Sequence, residues 1–348
     1  MANKFKSSAT VIPVDQSVGT ILAHDITEIR PGQFKGPAFR KGHIIREEDV
    51  PHLKRVGKEH LYVLHLEPGE VHEDDAALRL ATALSGKGVH FDPHPSEGKI
   101  QLKAHYRGLL KVDVAALTRI NLVPDISCSS RHANSVVEPG DVLAGVRAIP
   151  LIIDEENLQA AEEIALSVDD FFSVKPLLTP KTGIVITGNE VFSGLIDDKF
   201  APIIRKKLKD YHCGILGISF APDDRERIAF EIKQYLQQGA EMIVVAGGMS
   251  VDPDDITRVA IADAGARDVV YGTPVLPGAM FLYGRFGDVP VLGLPACVLF
   301  FRATVLDLIL PRVLAGERIT REDFASMAHG GMCLECDTCH FPRCSFGK

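Results

Sequence analysis

The chain has 348 residues, 46% of them hydrophobic, enough for two or three separately packed cores. Its formal net charge of −8 excludes a partner gripped mainly through a phosphate backbone, because such surfaces are basic. No apolar run approaches the ~20 residues that span a bilayer, and MANKFKSSATVIPV lacks the apolar stretch of a signal peptide, so a cytoplasmic protein with neither nucleic-acid nor membrane partner is expected.

Residues 1–66 read as a small β-rich unit. VIPV, TILAHDI and LYVLHL have the composition of short strands, punctuated at Pro31-Gly32 and Gly36-Pro37. A helix is predicted from Arg46 to Val56, with Glu47, Glu48 and Asp49 complementing the dipole at its start. Residues 67–175 read as an α+β unit that opens with the amphipathic helix VHEDDAALRLATALSG, where Ala77, Leu80, Ala81 and Leu84 share one face. Short strands follow in IQLKAHYRGLLKVD and VEPGDVLAGVRAIPLII, then the helix ENLQAAEEIAL. SVKPLLTPKTG reads as a proline-containing linker.

After Lys181 the rhythm changes, and residues 180–316 read as one α/β domain. TGIVIT, CGILGISF and EMIVVAGG are near-continuous apolar strands, separated by the helices DDKFAPIIRKKLKDY and DRERIAFEIKQYLQQG. ITRVAIADAG is a further helix, DVVYG, AMFLYGRFG and VPVLGL are strands, and ACVLFFRATVLDLILPRVLAG reads as one closing helix. Such alternation predicts a three-layer fold with a mostly parallel sheet covered on both faces. A hairpin turned at Gly287-Asp288 makes part of that sheet antiparallel.

In an open sheet of this kind ligands bind beyond the carboxyl ends of the strands. Three loops there carry suitable residues: Thr187-Gly188-Asn189-Glu190, the stretch Gly247-Gly248-Met249-Ser250 with Asp252, Asp254 and Asp255, and Leu294-Pro295-Ala296. Pro277-Gly278 starts the hairpin nearby. The paired glycines let a ligand approach the backbone, and Ser250 can bind an oxyanion or cap the next turn. Three carboxylates in four positions repel one another unless solvated or matched by a cation, which points to Mg²⁺ and phosphate chemistry. Glu190 reads either as a solvated loop acid or as a carboxylate sharing that cation. Pro295-Ala296 reads either as an ordinary turn or as a helix N-terminus offering an anion site.

TGNE, GGMSVDPDD, the Pro277-Gly278 turn and GLPA resemble, in order and spacing, the molybdopterin-binding domain of molybdopterin molybdotransferases, the MoeA type and the E domain of gephyrin. The same domain occurs in the adenylyltransferases acting one step earlier and in competence-damage-type proteins. VGTILAHDITEI is similar to the opening of the MoeA type. The resemblance implies an enzyme that takes adenylylated molybdopterin and molybdate, hydrolyses the adenylate with a divalent cation such as Mg²⁺, and releases molybdenum-bearing molybdopterin. It also implies a homo-oligomer, with an upstream adenylyltransferase or a molybdoenzyme as protein partner. By the same resemblance Glu190 and Asp255 match the family's acidic catalytic positions, while the crowding of carboxylates adds Asp252 and Asp254 to them as metal-facing residues. Thr187, Gly188, Gly247, Gly248, Met249, Ser250, Pro277, Gly278, Pro295 and Ala296 bind the pterin. Asp252 stands where the family has glycine, and Ala296 and Cys297 replace its glycine and asparagine. The alternatives are a non-catalytic carrier or sensor of the pterin and a competence-damage-type pyrophosphatase.

Residues 329–348 read as a separate tail with few apolar residues to bury. Cys333, Cys336, Cys339 and Cys344 follow the spacing C-x2-C-x2-C-x4-C, with His340 as a further ligand. Four thiolates can hold Zn²⁺ or an iron–sulfur cluster, and the first three cysteines resemble a ferredoxin run while the spacing to the fourth does not.

Overall fold

The computed structural model describes residues 10–30, 34–63, 68–96, 98–149, 151–250, 252–253 and 255–348. The Pro31-Gly32 turn, the end of LYVLHL and Asp254 lie outside the described residues. The chain divides into two compact units, one of Met1–Ala133 and Val137–Lys175, the other of Asn134–Val136 and Pro176–Lys348. Among the described residues no helix is long and apolar enough to cross a membrane.

In the first unit, Thr10–Pro13 pairs antiparallel with His60–Val63, and Ile26–Arg30 with Phe34–Phe39. Val14, Leu22, Ile26, Phe39, Leu53 and Leu61 close a small core beneath them. TILAHDI is not one strand. Leu22 and Ala23 are both buried, which breaks the alternation a strand requires; Ile21 forms an isolated bridge to Ile44, and Ile26 begins the separate strand Ile26–Arg30. The predicted helix at 46–56 is shorter, a 3₁₀ turn Glu47–Asp49 followed by Val50–Arg55. Asp49 Oδ2 accepts the Arg46 N–H at 2.9 Å to start it.

Helices Glu73–Leu84 and Glu155–Leu166 supply the second core of this unit, against strands Lys99–Ala104, Ile126–Ser130 and Val142–Ala148. Arg79 joins the two helices, donating to Glu155 at 2.9 Å and to Glu162 at 2.6 Å. Sequence reasoning missed the helix Val114–Asn121 and the strand after it. Its signal was Asp113, whose carboxylate accepts the Ala116 N–H at 2.8 Å. The expected linker also begins late, because Phe172–Pro176 is a strand with Phe172 and Val174 buried.

The second unit holds a six-stranded sheet. In chain order its strands are β1 (Lys181–Thr187), β2 (Gly214–Ala221), β3 (Met242–Ala246), β4 (Arg267–Tyr271), β5 (Leu282–Phe286) and β6 (Val289–Leu294). Their spatial order is 2-1-3-6-5-4, parallel from β2 to β6 and antiparallel through β5 and β4. The helices are α1 (Asn189–Phe192), α2 (Phe200–Asp210), α3 (Arg225–Gln237), α4 (Thr257–Asp263), α5 (Val305–Leu314) and α6 (Arg321–Ser326). Alternation along the strands feeds two cores. Ile184, Val244 and Leu292 meet α2 and α5, while Val185, Ile243 and Val291 meet α3 and α4. Coverage is incomplete at the edge, where Leu216 and Phe220 of β2 remain exposed.

Gly183 and Gly217 make room for the Tyr235 ring, and the Tyr235 hydroxyl reaches Ser219 Oγ at 2.9 Å. A Cβ on Gly183 would lie 2.4 Å from Tyr235 Cγ. Gly183→Ala is therefore expected to lower stability by about 1–3 kcal/mol, measured as a lower urea midpoint. An unchanged midpoint would mean that the ring shifts freely.

Two expectations for the C-terminal region are corrected. The closing helix is broken: Ala296–Leu299 is a 3₁₀ turn, and α5 starts only at Val305. Thr304 is the cause, since Asp307 Oδ2 accepts its N–H at 2.8 Å in a capping box that begins a new helix. The cysteine-rich tail is not separate either. Cys333 N–H donates to Leu276 O at 2.8 Å, Phe346 is buried, and Phe341 and Cys344 pack on the same core as β1 and β3.

Candidate functional site

The register of the sheet sets the site. Ile186 of β1 lies opposite Ala246 of β3, and Ala246 opposite Leu294 of β6. The three predicted loops therefore leave neighbouring strands at one level. The Gly247 N–H donates to Leu294 O at 3.2 Å, and Thr187 Oγ1 donates to Ala246 O at 3.4 Å. Thr187 also meets Thr257 Oγ1 at 3.0 Å, and the Thr257 N–H donates to Gly248 O at 3.2 Å. Thr187 and Thr257 are both buried, so they brace the glycine loop from beneath.

That brace leaves no room for side chains. Gly247 has φ +100° and Gly248 φ +57°, the left-handed region that favours glycine. A Cβ would lie 2.3 Å from Thr187 O at the first position and 2.4 Å from Thr257 Oγ1 at the second. The N–H groups of Gly248, Met249 and Ser250 have no acceptor among the described residues. Successive backbone donors with a left-handed residue among them form a concave anion site that needs no cationic side chain. This is how an acidic chain can hold a phosphate.

The other predicted residues divide by burial. Gly188 has φ +137° and donates its N–H to Ala221 O at 3.2 Å. Asn189 is clamped to the loop after β2, its N–H donating to Asp223 Oδ2 at 2.9 Å and its Oδ1 accepting the Asp223 N–H at 3.0 Å. Glu190 is exposed in the first turn of α1. Ser250 and Asp255 are half-buried and Asp252 is exposed, with the Asp255 N–H donating to Asp252 O at 2.9 Å. None of Glu190, Asp252 and Asp255 is in an ion pair among the described residues.

Several expectations change. Met249 turns into the core, 2% exposed against Gly293, and its carbonyl accepts the Tyr271 hydroxyl at 2.7 Å, so its side chain does not line the crevice. Pro295-Ala296 does not open a long helix, and the N-terminus of α5 is occupied by the chain itself. Pro277 O accepts the Val305 N–H at 3.1 Å, and Thr304 Oγ1 accepts the Leu306 N–H at 3.3 Å. The Pro277-Gly278 turn is buried beneath that helix, where a Cβ on Gly278 would meet Val305 Cγ1 at 2.4 Å. Cys297 is half-buried, and burial pushes its thiol up despite the backbone donors of Cys297 and Val298, so it remains protonated at neutral pH. No group of three or more His, Cys, Asp or Glu side chains is assembled to hold a metal ion among the described residues. Asp252 is exposed and Asp255 only half-buried, so the described acids of this loop form no closed metal cage. Thr257 and the Asn189–Asp223 clamp were missed, since both depend on which strands are neighbours.

The fold and the crevice define a three-layer α/β domain with a glycine-lined crevice at the ends of parallel strands. Residues 183–315 match the family model described as "Probable molybdopterin binding domain". Residues 11–65 match one described as a domain of unknown function (DUF8806). A CinA-like protein of Thermosipho melanesiensis is 32% identical over 91 residues, 26% of this chain and 22% of that protein. A CinA-like protein of Mycobacterium tuberculosis strain H37Rv is 30% identical over 93 residues, 27% of this chain and 22% of that protein. The match thus spans 22% of the length of these curated relatives. Among solved structures, the molybdopterin biosynthesis enzyme MoaB of Thermus thermophilus aligns at TM-score 0.34 and 20% identity, covering 40% of this chain and 98% of its own. The likeness reaches the domain type without singling out the MoeA branch, and the relatives named above bear the CinA-like name.

Proposed function

We propose that the second unit binds molybdopterin or its adenylate in the crevice over β1, β3 and β6. The carrying observation is the Gly247-Gly248 loop, with three consecutive N–H groups facing no acceptor among the described residues. A terminal phosphate of the pterin fits such donors without net positive charge. Mg²⁺ keeps several waters and takes one or two carboxylates together with substrate phosphates. Asp255 and the solvated Asp252 and Glu190 suit that mode, in which the ligand completes the metal site. The reaction proposed is transfer of molybdate onto the pterin with loss of the adenylate, within molybdenum-cofactor assembly. An adenylyltransferase would then supply the substrate, a molybdoenzyme would receive the product, and the chain would act as a homo-oligomer. A second reading, hydrolysis of a dinucleotide-like pyrophosphate, is favoured by the CinA-like relatives.

Titration calorimetry with adenylylated molybdopterin and Mg²⁺ is expected to give saturable binding. A flat titration would remove the proposal. Asp255→Asn and Glu190→Gln are expected to bind the ligand but to turn it over at least about a hundredfold more slowly. Product analysis by mass decides the chemistry, since molybdenum-bearing pterin and a cleaved free dinucleotide are different masses. Wild-type turnover in both variants would sink the assignment of these two acids.

A further inference from the structure

We propose that Cys333, Cys336, Cys339 and Cys344 hold an iron–sulfur cluster in a cavity on the second unit. All four cysteines line one cavity of about 370 Å³, whose walls also include Phe300 and Phe346. None is in a disulfide. In ferredoxin runs the three close cysteines take three corners of a cluster and the fourth must come from elsewhere. Sequence counted Cys344 as the fourth thiolate, although its spacing from the other three departs from the ferredoxin pattern. Here the turn through Phe341–Arg343 brings Cys344 back to the same wall.

The loop carrying the thiols needs another source of order. It is anchored at its ends, by Cys333 N–H to Leu276 O at 2.8 Å and Gly347 N–H to Gly330 O at 2.9 Å, with Phe346 buried at 3%. Between these anchors there is no helix or strand, and every residue from Leu334 to His340 is exposed. A group bound by four thiolates would tie this loop together, and binding it releases the four thiol protons.

One Zn²⁺ requires its sulfurs all about 2.3 Å from a single point. Among the described residues no three metal-ligating side chains converge in that way. The four cysteines line one cavity, and the close spacing of the first three is that of a ferredoxin run, which favours a cluster.

The test uses the full chain, purified without oxygen and reconstituted with Fe³⁺, sulfide and a thiol reductant that supplies the ferrous share, with Zn²⁺ alone in a parallel sample. About four irons and four sulfides per chain, with broad visible absorption, are expected. Cys336→Ser and Cys339→Ser alter exposed side chains, so the fold should survive while bound iron falls several-fold. Cys128→Ala, in the first unit, should leave the iron content unchanged. A chain that takes one Zn²⁺ tightly yet no iron and sulfide overturns the cluster. So does iron that persists in both tail variants, or equal alkylation of all four thiols before and after reconstitution.

Discussion

Gly247→Ala is expected to lower the unfolding free energy by about 2–5 kcal/mol and to abolish ligand binding in the crevice. Two physical effects add. A left-handed φ costs an L-residue about 1–2 kcal/mol, and the new methyl would press on the Thr187 carbonyl at 2.3 Å. That carbonyl is backbone at the end of β1, so relief requires β1 and β3 to move apart. Gly265 provides the control. Its φ is +105° against +100° for Gly247, but nothing lies within 4 Å of a Cβ built there. Gly265→Ala should therefore lose only the conformational part, about 1–2 kcal/mol, and should bind ligand normally. Denaturant unfolding of the two variants beside wild type measures the difference. Equal losses would show that the contact with Thr187 contributes nothing.

Arg312→Met is expected to destabilise the second unit by about 3–5 kcal/mol, the range seen when one member of a buried ion pair is removed. The Arg312 side chain is 10% exposed and donates to Glu317 at 2.8 Å and to Asp323 at 2.5 Å. It joins α5 to α6, from which the cysteine loop continues, so its loss strands two carboxylates at a covered joint. The effect has a defined pH dependence. Burial pushes the Asp323 carboxyl up, but Arg312 and the Thr320 donors outweigh burial and hold it below the usual carboxylate range. A carboxylate depressed in the folded state contributes stability above its unfolded value, about 3.9, and loses that contribution as pH falls through the folded value. The gap between wild type and Arg312→Met should thus be full at pH 7 and narrow below about pH 4. Unfolding curves across that range check it, and a gap independent of pH would assign the loss to packing alone.

Much of the α/β domain was legible before any tertiary information. Its strands are largely apolar runs closed by glycine or proline, and its helices alternate with them, so the layer order and the hairpin at Gly287-Asp288 follow from local pattern. Residues of the crevice were legible wherever local chemistry speaks, as in the glycine pair and the acids after β3. Where several conformations suit the same residues, local pattern was silent. ACVLFFRATVLDLILPRVLAG has the apolar content of one helix, and only the capping box of Thr304 with Asp307 and the docking of Pro277 O split it. Met249 lies between Gly248 and Ser250 and could face either way; the space above Gly293 draws it inward.

By itself the sequence determined the alternation of strands and helices in the second unit and which loops leave the carboxyl ends of its parallel strands, because hydrogen bonding and alternation act over a few residues. The tertiary structure alone decided that β1, β3 and β6 are neighbours in matched register, and so that Thr187 and Thr257 brace the glycine loop. It alone brought Cys344 to the cavity of the other three cysteines. Those outcomes depend on contacts between residues far apart in the chain, whose burial and close packing are settled only when the whole core closes.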